Sequence, residues 1–178
     1  MKNVAEQTLK HLSPLIGLKL SIARRAADMR VLQFGMIREI ENGGTVGEYA
    51  LHIQCPWRID GLERVVTGRG DLWEPLETGD DFDWESWDYE TSENLQDHQI
   101  GKLLGGFGPI TQSFVNETDY LIVEDIQVDD FGGAVILLSG GYRLTLFPFG
   151  SKGEDWRIFQ PLKEDSHHFV ISGGKVEE

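Results

Sequence analysis

The stretch Gly47–Gly68, GEYALHIQCPWRIDGLERVVTG, decides how the chain reads. Apolar residues alternate through its first half, so Tyr49, Leu51, Ile53, Cys55 and Trp57 share one face of an extended strand. Glu48, Ala50, His52, Gln54 and Arg58 then lie on or near the other face. Asp60-Gly61 is a two-residue hairpin signal, which sets Ile59 opposite Leu62 and Arg58 opposite Glu63. The return strand runs through ERVVTG. A half-buried, period-two pattern of this kind belongs to an antiparallel sheet with one face on a core.

Upstream, Val4–Leu12 reads as a short helix ended by Ser13-Pro14, because the residue before a proline avoids the helical region. Leu18–Ala23 and Val31–Ile40 read as strands, and Asn42-Gly43-Gly44 as a turn. Downstream, Ser92 is placed to cap a helix over Glu93–Leu104 that stops at Gly105-Gly106. Leu95, Ile100, Leu103 and Leu104 give that helix one apolar side, so it should pack on a sheet. The last third is nearly all strand: YLIVEDIQV, AVILLS, YRLTLF, DWRIF and HFVIS. With Gly140-Gly141 as a two-residue turn, Ser139 pairs with Tyr142, Leu137 with Leu144 and Val135 with Leu146, leaving Leu138, Ile136, Arg143 and Thr145 on the opposite face.

These elements predict one α+β domain over residues 1–178. It is predominantly antiparallel sheet in two strand groups, with a short N-terminal helix and one central helix packed on the sheet. A chain of 178 residues with 40% hydrophobic content supports one sizeable core, and no linker divides it. The lone Cys55 excludes an internal disulfide, and MKNVAEQTLKHLSPL has no apolar signal-like core, so the expected compartment is the cytoplasm. The sequon Asn116-Glu117-Thr118 and the tripeptide Arg69-Gly70-Asp71 then lack the extracellular context that would give them meaning.

The net charge of −14 is concentrated in one segment. Eleven acids and no Lys or Arg lie between Gly70 and Gly101, whereas the remaining 19 acids nearly balance the 16 bases. A negative sector argues against nucleic acid and against anionic membranes as partners. Within the segment, Asp80–Glu90 reads DDFDWESWDYE, six acids and four aromatic rings. Asp81, Asp83 and Glu85 resemble the opening of an EF-hand loop, but Ser86 stands where that loop needs glycine and Ser92 where it needs glutamate, so no metal is assigned. Rings flanked by carboxylates suit a cationic protein surface instead. The acids Asp80, Asp81, Asp83, Glu85 and Asp88 would steer the encounter, and Phe82, Trp84, Trp87 and Tyr89 would supply apolar contact and cation–π attraction.

Nothing in the sequence identifies a catalytic centre or a cofactor site. Cys55 and His52 point to opposite faces of their strand, and adjacent His167 and His168 do likewise, which prevents joint chemistry within either pair. The run Gly105-Gly106-Phe107-Gly108 lacks the lysine of a phosphate loop. The polar row Glu48, His52, Gln54 and Arg58 is the alternative site, lining a pocket in a small-molecule-binding β domain or an enzyme.

The runs GEYALHIQCPWRIDG, LIVEDIQVDD and GYRLTLFPFGSKGEDWRIFQP, with the ending HFVISGG, resemble a family of uncharacterised bacterial proteins. That resemblance spans most of the chain and implies no assigned activity. In size and charge the chain is also similar to the immunity proteins that neutralise bacterial toxins. The implied function is non-enzymatic inhibition of a basic protein partner.

Overall fold

The computed structural model describes residues 3–106 and 113–177, so the last two residues of the glycine-rich run 105–108 lie outside it. Helix α1 (Val4–Leu12) starts where the Asn3 side chain accepts from the Ala5 amide at 2.9 Å, and Pro14 tightens its end into a 3-10 turn over Ser13–Leu15. Leu12 and Leu15 are thereby delivered fully buried into the core. Strands β1 (Leu20–Ala26) and β2 (Met29–Phe34) form a hairpin, and Gly35, at φ 87°, ends the second strand at Phe34, six residues short of the expected Ile40. A two-stranded ribbon of β3 (Arg38–Glu39) and β4 (Thr45–Val46) follows, then β5 (Tyr49–Ile53), β6 (Trp57–Asp60) and β7 (Val65–Gly68).

A second 3-10 turn, Arg69–Trp73, precedes the acidic segment, and α2 (Leu95–Leu104) follows it. The cap of α2 is Asn94, whose side chain accepts from the Asp97 amide at 2.8 Å, not Ser92. Its C-cap is Gly105 at φ 89°, as the sequence predicts. The remaining strands are β8 (Ser113–Val115), β9 (Val123–Val128), β10 (Ala134–Leu138), β11 (Tyr142–Leu146), β12 (Glu154–Phe159), β13 (Phe169–Ser172) and β14 (Lys175–Val176).

Two antiparallel sheets enclose the core, so the fold is α+β and mostly sheet. One has seven strands in the order β14-β13-β12-β5-β2-β1-β8, the other five in the order β7-β6-β11-β10-β9. A single apolar cluster joins Leu32, Leu51, Trp156 and Ile171 of the first to Trp57, Ile136, Leu144 and Leu146 of the second. Among the described residues no helix is long and apolar enough to cross a membrane.

The opening stretch is not one strand. β5 lies inside the seven-stranded sheet and β6 inside the five-stranded one, with the corner at Gln54-Cys55-Pro56. The amides of Gln54 and Cys55 both donate to the Asp155 carbonyl, at 2.8 and 2.9 Å, so two residues oppose one and the chain bends as at a β-bulge. Leu51, Ile53, Cys55, Trp57 and Ile59 are nevertheless all buried, because both inner faces look at the same core.

Two hairpin registers also differ from expectation. In β6–β7 the loop is longer than two residues: the Gly61 amide donates to the Arg64 carbonyl, Ile59 pairs with Thr67, and Arg58 pairs with Gly68, not Glu63. In β10–β11 the turn is Ser139-Gly140-Gly141, so Leu138 pairs with Tyr142, Ile136 with Leu144 and Ala134 with Leu146. Every residue of β10 is apolar, so alternation does not choose between its two faces, and one extra turn residue reverses them. Asn116 of the sequon is buried, its amide donating to the Leu20 carbonyl at 2.7 Å.

Candidate functional site

The acidic segment forms a loop with a closed neck. Pro75 and Asn94 make an antiparallel bridge, and the Leu95 amide donates to the Glu74 carbonyl at 2.8 Å. Between these points the chain has no strand or helix and lies on the surface as an Ω-type loop. Asparagine-type turns shape it from within. Asp83 Oδ1 accepts from the amides of Glu85 and Ser86, and Asp88 Oδ1 accepts from the Glu90 amide at 2.9 Å. The Ser86 hydroxyl and these amides hold the Asp83 carboxyl below its ordinary pKa.

A polar cluster beneath the loop fixes its end. Arg25 and Arg30, both buried, share the Asp97 carboxylate: Arg25 Nε donates to Oδ2 at 3.0 Å and Arg30 Nη2 to Oδ1 at 2.9 Å. Asn94 Nδ2 donates to the same carboxylate at 2.9 Å. Burial works to raise the Asp97 pKa, but the Arg30 charge and the three sets of hydrogen bonds outweigh it, so the carboxyl lies below its usual value. Arg30 Nη2 also donates to Gln96 Oε1, and Gln96 Nε2 donates to the Gly68 carbonyl at 2.9 Å. From this cluster, Arg25 Nη2 and Asn94 Nδ2 both donate to the Tyr89 carbonyl, at 3.1 and 3.2 Å.

The four rings of the segment therefore divide. Tyr89 is an anchor: its ring meets Trp73 edge-on at 6.4 Å and lies under the Arg25 guanidinium at 5.5 Å. Trp73 is in turn covered by Arg69 at 5.5 Å, and Arg69 is paired with Asp28. Trp87 is half-buried. Trp84 is 58% exposed and is supported on one side by the half-buried Phe82, edge-on at 4.8 Å. Asp80, Asp81, Asp83, Glu85 and Asp88 are exposed, and among the described residues none of them takes part in an ion pair. A loop stiffened by its own turns, clamped at its neck and presenting a tryptophan among unneutralised carboxylates is suited to receive a cation-bearing surface.

The alternative polar row does not stay together. Arg58 is on the five-stranded sheet, where it and Arg143 both pair with the buried Asp60. Glu48 Oε2 accepts from the Met36 amide at 2.8 Å and borders a small depression with Arg38, Gln160 and Lys163. His52 is on the outer face of the seven-stranded sheet beside Phe159, ring to ring at 4.9 Å, and Phe159 stacks on His168 at 4.0 Å. Arg157 bridges this group by its ion pair with Glu154 and its 3.3 Å contact to His168 Nδ1. Arg157 first, and Gln54 to a lesser degree, hold the Glu154 carboxyl below its ordinary pKa. Desolvation, then the Arg157 charge, push both imidazoles below their ordinary pKa. Among the described residues no three His, Cys, Asp or Glu side chains are grouped to hold a metal ion.

Sequence reasoning missed Arg25, Arg30 and Asp97, whose pairing crosses 67 to 72 residues of chain. The expected strands stop at Ala23 and start at Val31, so both arginines fell in the presumed connection; only the longer strands β1 and β2 carry them into the interior, where they need a counter-charge. Set against known protein families, characterised proteins and solved structures, the chain matches none.

Proposed function

We propose that this protein is a non-enzymatic binding protein that takes a basic protein partner on the loop 76–93, in the manner of an immunity-type inhibitor of a toxin. The observation that carries the reading is Trp84, held exposed by Phe82 beside Asp80, Asp81, Asp83, Glu85 and Asp88, which form no ion pair among the described residues. Burying so large a ring against a partner supplies contact area, and the acids around it accelerate encounter with a positive surface. The single cysteine and the acidic charge support a cytoplasmic setting.

The test is binding kinetics with a basic partner captured by the wild-type protein and identified. Changing Asp80, Asp81 and Asp83 to Asn should slow association and flatten its salt dependence, since exposed charges act over a screening length of about 8–10 Å. Trp84→Ala should speed dissociation by roughly 2 kcal/mol, about 30-fold, without altering thermal stability. Tyr89→Ala should instead lower stability, because that ring is an anchor. If Trp84→Ala binds normally, or the captured protein is retained equally by the triple Asn variant, the loop is not the interface.

A further inference from the structure

A cleft lies beside the C-terminal turns of α2, whereas the loop's neck meets that helix at its N-terminal end. Its volume is about 480 Å³, within the roughly 300–1,000 Å³ usual for ligand pockets. Three segments distant in sequence build it: the β6–β7 loop with Leu62 and Arg64, the last turns of α2 with Lys102 and Leu103, and Tyr142 after the diglycine turn. Tyr142 is stacked on Tyr120, ring centroids 5.8 Å apart and planes 15° from parallel, so the lining contains a stiff aromatic wall. Leu62, Val66 and Leu103 complete an apolar lining, and Leu62 is 86% exposed at the rim. A second depression of about 340 Å³ shares Gly61, Leu62 and Tyr142 and extends the cleft toward Arg143.

The charge of this lining departs from that of the molecule. The chain has 30 acids to 16 bases, yet among the described residues Arg64 and Lys102 face the cleft with one acid, Glu63, and the adjoining depression adds Arg143 with one more, Glu124. Among the described residues neither Arg64 nor Lys102 forms an ion pair. Both are exposed, so each is available to an incoming anion. We infer that this cleft binds a flat, largely apolar molecule carrying one carboxylate: the rings lie against Tyr142 and the leucines, and Arg64 and Lys102 hold the anionic end. This site is independent of the loop 76–93 and of any partner bound there.

The probe is 2-naphthoate, titrated into the full-length ¹⁵N-labelled protein, with neutral 2-naphthylmethanol as its isostere. Saturable amide shifts should fall on Leu62, Val66, Leu103 and Tyr142, with the acid binding more tightly than the alcohol. The double variant Arg64→Glu, Lys102→Glu changes exposed side chains only, so it should fold normally and melt at most about 2–4 °C lower, the loss coming from a carboxylate in the last turn of α2. It should weaken the acid at least 10-fold and the alcohol by less than 2-fold. A methyl at Gly61 would meet Val66 Cγ2 at 3.5 Å and Tyr142 Cε1 at 3.7 Å, ordinary contacts at a backbone angle alanine accepts. Gly61→Ala should therefore fold normally and weaken both probes by narrowing the cleft. Absence of saturation at millimolar probe, shifts centred elsewhere, or an unchanged affinity for the acid in the charge-reversed variant would each overturn the assignment.

Discussion

Asp97→Asn puts the buried cluster to a quantitative test. The carboxylate is the ion-pair partner of two guanidinium groups whose side chains are 1% and 0% exposed, and it is itself 13% exposed. Asn preserves the shape but removes the charge, leaving Arg25 and Arg30 buried together with no anion. Removing one partner of a buried pair costs about 3–5 kcal/mol, which for a domain of this size lowers Tm by about 6–20 °C. Urea unfolding followed by tryptophan fluorescence measures the loss directly. The pH dependence gives an independent signature. Because the folded-state pKa of Asp97 lies below its ordinary value of 3.8, its contribution is complete above that value and is lost as pH falls through the depressed one. The wild type and the variant should therefore converge on acidification. In the double variant Asp97→Asn, Arg30→Met one uncompensated charge is gone, so it should be more stable than the two single losses added together by at least about 1 kcal/mol. A loss below about 1 kcal/mol for Asp97→Asn at neutral pH, or strict additivity in the double variant, would refute the view that this pairing holds the loop's neck to the sheet.

Burial, with the Asp155 charge beside it, pushes the Cys55 thiol up to about 12, so native protein at neutral pH should resist thiol reagents until denaturant is added; rapid labelling without denaturant contradicts the burial. His52 has a folded-state pKa below its ordinary 6.5, so the stability it contributes is complete above 6.5 and is lost as pH falls through the lower value. An NMR titration placing His52 at or above 6.5 would reverse that expectation. Gly132 combines φ 78° with a Cβ position 2.6 Å from Ile171 Cγ2, and its carbonyl accepts from Trp156 Nε1 at 2.8 Å. Gly132→Ala should cost about 2–4 kcal/mol from left-handed strain and overpacking, and a chemical-denaturation midpoint close to wild type would count against both.

The period-two pattern marked the residues of β5 and β6 as extended, because a strand with one wet face must alternate, and short apolar runs between turn residues marked β9 to β13; both signals depend only on each segment's own residues. Proline and glycine placed the ends of both helices for the same reason: the backbone preference at Pro14 and Gly105 is local. The corner at Gln54-Cys55-Pro56 left no trace in that pattern. Alternation runs through it in phase, since both sheets turn their inner faces to one core, and only the pairing of β5 with β12 and of β6 with β11 separates the two strands. The same limit scattered Glu48, His52 and Arg58, which share a parity but not a sheet. The division of the acidic segment into anchoring Tyr89 and presented Trp84 likewise rests on Arg25 and Asp97, 64 residues before and 8 after the tyrosine. The cleft at Tyr142 depends on three turns meeting in space. Composition and spacing report what each segment prefers by itself; contacts between segments distant in sequence are set by how the sheets close on their common core, and tertiary structure alone decided them.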